Sequence, residues 1–113
     1  MNMITKFFGG RRKKTGSYAH RREMAATLHG LPVRYVTEWR NDNEDVIGRG
    51  GHLTLKDDEF LVDSSGDTIF RCDVRDLDAS YLMSGDGVIL RGPNQLEQGR
   101  ERTITVHFVY YRK

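Results

Sequence analysis

The feature that most constrains this chain is the period-two alternation that begins at residue 33 and runs nearly to its end. In "TITVHFVYY", Ile104, Val106, Phe108 and Tyr110 share one face, while Thr103, Thr105, His107 and Val109 share the other. Such alternation describes a strand with one face buried and one face wet. Upstream, Val33, Tyr35 and Trp39 alternate with Arg34, Glu38 and Arg40, and "NDNED" follows as a turn. "VIGRGGHLTLK" reads as one long second strand with Leu53 and Leu55 inward, its glycines letting it bend at a corner. "DDE", "SGD" and "SGDG" are turns between the next runs, and "GPNQLEQGRE", residues 92–101, reads as an exposed polar loop.

The pattern predicts a mainly β domain of about seven antiparallel strands with short connections. A meander of this kind is expected to close into a small barrel or two packed sheets, because an open edge invites aggregation. One helix is expected before it, over residues 18–29. Ser17 is its N-cap, Met24, Ala25 and Leu28 form its apolar face, and "GLP" ends it.

Length, 113 residues, points to one domain, and one cysteine excludes an intramolecular disulfide and favours a reducing, cytoplasmic setting. No apolar run approaches bilayer-spanning length, and the N-terminus lacks the order of a secretory signal. The net charge of +2 conceals a division. Residues 1–22 hold seven cations and no acid, leaving 11 cations against 16 acids behind them. A basic arm, residues 1–16, therefore precedes an acidic domain, residues 17–113. Within the arm, Phe7, Phe8, Arg11, Arg12, Lys13 and Lys14 are the candidate contacts for lipid or another anion, since cations near an anionic bilayer each contribute about 1 kcal/mol.

Catalytic and metal chemistry find no pattern. The histidines at 20, 29, 52 and 107 lack ligand spacing, and "DNED" lacks the spacing of a calcium loop. Ser64 and Ser65 have no nucleophile elbow, and Cys72 alternates with Phe70 and Val74 as a small buried hydrophobe does. "GRGG" leads into a strand and lacks the residues that grip nucleotide phosphates, and Asp57, Asp58 and Glu59 suit a turn. Tyr81, Phe108, Tyr110 and Tyr111 are the aromatics available for stacking bases, but the acidic body disfavours specific nucleic-acid binding. No enzyme activity, metal or cofactor is expected.

"GHLTLKDDEFLVDSSGDTIFRCDVRDLDASYLMSGDGVIL" resembles the GRAM and bacterial pleckstrin-homology-like domains. Gly51, Leu53, Leu55, Phe60 and Val62 match the first hairpin of that pattern; Val74, Asp76 and Leu77 match a strand end; Gly87, Val88 and Leu90 match a later strand. The resemblance covers residues 48–110 and implies a small barrel and a noncatalytic interaction module. In that family a C-terminal helix plugs the barrel; here the chain stops at Lys113, so helix 18–29 is expected to take that place, burying Met24 and Leu28. The phosphoinositide hairpin of such domains is basic, whereas "RNDNED" sets Asp42, Glu44 and Asp45 against Arg34, Arg40 and Arg49. The expectation is thus a cytoplasmic module that binds a protein through an edge strand or the groove between barrel and helix. The arm serves as a weak membrane tether, and the edge strand also permits homo-oligomers. The alternatives are a peripheral anionic-lipid binder and a small enzyme with a site at the barrel mouth.

Overall fold

The computed structural model describes residues 17–108. The basic arm with Phe7, Phe8, Arg11, Arg12, Lys13 and Lys14, together with Tyr110 and Tyr111, lies outside them. Helix α1 spans Tyr18–Leu28. The Ser17 hydroxyl accepts the His20 amide at 3.2 Å, and Gly30 leaves the helix at φ 85°, a left-handed conformation that glycine adopts without strain.

Eight strands follow among the described residues: β1 Val33–Arg40, β2 Asn43–Arg49, β3 His52–Lys56, β4 Glu59–Ser64, β5 Asp67–Asp73, β6 Asp78–Tyr81, β7 Gly87–Asn94 and β8 Arg100–Phe108. They form two antiparallel sheets, β2-β1-β8-β7-β6 and β3-β4-β5. Each strand pairs with its neighbour in sequence and β8 returns to β1, but no ladder joins β2 to β3 or β5 to β6. The expected closed barrel is therefore not formed.

The extra strand arises at "GRGG". What reads as one strand is two, in different sheets, because Gly50 and Gly51 take φ 70° and 105° and turn the chain. The corner is stitched by the Ser64 hydroxyl, which donates to Gly50 O at 2.7 Å, and by Ser65, whose amide donates to Arg49 O at 2.9 Å. On the other side the two sheets are linked by a side chain from β7 to β5: the Asn94 carboxamide, fully buried, accepts the Arg71 amide at 3.1 Å. Asn94 also shows that residues 92–101 are not an exposed loop. Strand β7 runs through Asn94, a single 3-10 turn covers Gln95–Glu97, and Arg100 pairs opposite Asn94.

The core lies between the sheets, with Leu53, Val62, Phe60, Phe70, Cys72, Val88, Leu90, Ile104 and Val106 removed from solvent. Helix α1 packs against β3, β6 and the turn at Val74–Asp76. It buries Ala25 and Leu28 completely, while Met24 is half-buried against the same core. With no closed barrel to plug, the helix instead packs on both sheets through β3 and β6, and of the two residues expected to be buried only Leu28 is fully so.

Candidate functional site

Two surfaces stand out, one along an edge of the five-stranded sheet and one at the end of its inner strands β1 and β8. The first is the seam between α1 and β6. Strand β6 is a sheet edge, paired with β7 on one side only. The Leu82 amide donates to Gly87 O at 2.9 Å, so by antiparallel alternation the Ser80 and Asp78 amides also face β7, and those of Ala79 and Tyr81 face outward. A shallow depression of about 20 Å³, lined by His20, Arg21, Met24, Leu77 and Ala79, runs beside this edge. Tyr81 and Met83 extend the apolar surface into solvent.

Arg21 forms the floor of the seam. Its guanidinium donates to Leu77 O and to the Asp78 carboxylate, the latter at 3.0 Å, and the side chain is buried. Arg22 donates to Asp57 O at 2.8 Å. Both were counted by composition with the basic N-terminus, and both belong electrostatically to the body. Tyr18 anchors the helix start to the same turn through its hydrogen bond to Asp58, which pushes its phenol up from the ordinary value.

The second surface is a cleft of about 580 Å³ between the β1–β2 hairpin and the β7–β8 hairpin, lined by Glu38, Trp39, Arg40, Asn41, Glu97, Arg100 and Arg102. Its centre is Arg102, on the core-facing side of β8 one turn of the pleat beyond Ile104. Arg102 grips Glu38 with two parallel bonds, Nε at 2.8 Å and Nη2 at 2.6 Å, and Glu97 with Nη1. Glu38 also accepts Arg40 at 3.1 and 2.9 Å, and Glu97 accepts Asn94 at 2.9 Å. Burial pushes the Glu38 carboxyl up, but the hydrogen bonds and charges of Arg102 and Arg40 outweigh it and hold the carboxyl below its ordinary range. Glu97 is lowered in the same way, with Arg102 again the main partner opposing desolvation.

Trp39, expected on the inward face, is 66% exposed on the rim of this cleft. One register slip, against β8, shifts the phase of β1; the other, against β2, leaves its extra residue, Ile47, on β2. The register of β1 against β8 slips between Val33 and Tyr35, and against β2 between Val36 and Thr37. Val36 therefore takes the core position, and Tyr35, Thr37 and Trp39 turn to the outer face. There the Tyr35 ring stacks on His107 with centroids 4.4 Å apart, and Thr37 donates to Glu44 at 2.7 Å.

The remaining sequence candidates stay dispersed. His52 lies 3.8 Å from Asp63 on the surface, and neither it nor His107 lines the cleft or the seam. Arg34 lies over Tyr35 and Arg40 is engaged by Glu38, so the hairpin cations do not converge on one point. Asp57 and Asp58 form the β3–β4 turn, and Cys72 is fully buried beside Gly92. No helix among the described residues is long and apolar enough to cross a membrane. Comparison with family models, with curated proteins and with solved structures finds no match to this chain.

Proposed function

We propose that this chain is a noncatalytic interaction module of pleckstrin-homology-like type, cytoplasmic, that binds an extended segment of a partner protein along the β6 edge. The observation that carries this is the outward-facing amides of Ala79 and Tyr81 beside the α1 seam. An edge strand with unpaired main-chain groups accepts an added strand, and adjacent pockets select its side chains. The opposite edge of this sheet is poorly suited to this role, since β2 carries Glu44, Asp45 and Arg49 and a bulge at Ile47.

Tyr81→Pro removes an outward N–H without touching the β7 ladder, so it blocks strand addition, whereas Tyr81→Ala removes only the ring. Proteins captured by the full chain should persist with Tyr81→Ala, reduced, and vanish with Tyr81→Pro, while circular dichroism stays unchanged. Capture indifferent to the proline removes strand addition from the proposal.

The composition of residues 1–16 favours a second reading, a weak tether to anionic membranes through Phe7, Phe8, Arg11, Arg12, Lys13 and Lys14. Sedimentation with anionic liposomes should show salt-sensitive binding by the full chain and none by a chain beginning at Ser17. Binding retained by the shorter chain would transfer lipid contact to the folded body.

A further inference from the structure

The Trp39 cleft holds three arginines and two glutamates, and they alternate in space as Arg40, Glu38, Arg102, Glu97 and Arg100. The inner arginine has its planar fork filled by both glutamates. The outer two do not. Arg40 spends Nε and Nη2 on Glu38, and Arg100 reaches Glu97 only through Nη1 at 3.4 Å. Their side chains are 54% and 77% exposed, and they border the same 580 Å³ cleft as the exposed Trp39.

We propose that this cleft docks an acidic segment of a protein partner, with one carboxylate between Arg40 and Arg100 and a neighbouring apolar side chain on the Trp39 ring. A guanidinium presents two parallel donors that match a carboxylate, and the excess of one positive charge in the cleft matches one incoming anion. Tryptophan and arginine together are the residue types that carry most binding energy at protein interfaces. Nucleic acid fits less well. Asp42, Glu44 and Asp45 on the adjoining hairpin would oppose the regular phosphates of a strand, whereas a single carboxylate avoids them. The cleft lies at the end of β1 and β8, shares no residue with the β6 edge and does not depend on the strand-addition site.

Trp39 is the single tryptophan of the chain, so its fluorescence reports occupancy of the cleft directly. The full chain should give a saturable fluorescence change with acetyl-Leu-Glu-Leu-amide in the millimolar range. The glutamine counterpart should bind about tenfold more weakly, because it lacks the charge that strengthens the hydrogen bonds. An Arg40→Ala/Arg100→Ala double variant should lose the response to the acidic peptide while keeping its thermal midpoint, since exposed ion pairs contribute little to stability. Equal responses to the two peptides, no response to either, or an undiminished response in the double variant would each overturn the proposal. A response to oligothymidylate at lower concentration than to the acidic peptide would overturn it in favour of nucleic acid.

Discussion

Gly51→Ala should destroy the fold at ordinary temperature or destabilise it by at least about 4 kcal/mol, at the upper end for single substitutions. A Cβ at this position would stand 1.8 Å from Asp63 O and 2.6 Å from Asp63 C, far inside contact distance. Both atoms belong to the backbone of β4, which is held on one side by β3 and on the other by β5. Neither can move without breaking a ladder. The φ of 105° adds strain for any L side chain. Gly50 is the control: its φ is 70°, but nothing lies within 4 Å of its Cβ, so Gly50→Ala should cost only about 1 kcal/mol. Urea denaturation of the two variants separates backbone strain from collision. Similar losses for both would show that the corner relaxes and that its close approach is not essential.

Arg102→Ala should cost about 3 kcal/mol and lower the thermal midpoint by on the order of 10 °C, because it leaves two carboxylates with less than they need. The Arg102 and Glu38 side chains are 13% and 14% exposed, so Glu38 would keep most of its burial while losing a two-pronged partner. Arg40 would remain to it, which places the cost at the low end for breaking a buried pair. The pH dependence has a defined sign. In the folded chain the Glu38 and Glu97 carboxyls lie below their ordinary value of 4.5, so their contribution is present above that value. It is lost as pH falls through the lowered folded values. The stability gap between the natural chain and Arg102→Ala should therefore be full at neutral pH and narrow below pH 4.5. A gap independent of pH would assign the loss to missing packing of the arginine stem instead of missing charge.

The elements that were legible in the sequence are those decided by neighbours along the chain. Helix α1 could be read from Ser17, from the spacing of Met24, Ala25 and Leu28, and from Gly30, all local signals. The hairpins at Asp57–Asp58 and Ser65–Gly66 could be read from turn residues. What was not legible depends on distant pairings. A bulge is a mismatch between two strands, so the exposure of Trp39 follows from register against β8 and not from the residues beside it. The division of "VIGRGGHLTLK" into two sheets requires knowing that Asp63 and Ser64 pass close to Gly51. Arg102 and Glu38 are 64 residues apart, so no spacing rule announces the centre of the cleft. The seam with β6 was foreseen only in outline, as a groove between helix and sheet, and the burial of Arg21 within it was missed.

The return of β8 to β1 has a consequence for how the chain acquires its structure. Val36 pairs with Val106, and Val33 with Phe108, so the first strand waits for the last before its second ladder can form. During synthesis, β1 and β2 leave the ribosome as a two-stranded ribbon, which is marginal alone in water. The smaller sheet, β3-β4-β5, has only neighbouring pairings and needs nothing from residues beyond Asp73 for its own ladders. Closing the larger sheet requires a loop of most of the domain to be drawn together, and such distant pairing slows folding. Until residues 100–108 emerge, Trp39 and Glu38 stand on a ribbon with no Arg102 beside them. The Trp39 cleft therefore cannot form until the start of β8 has been brought beside β1.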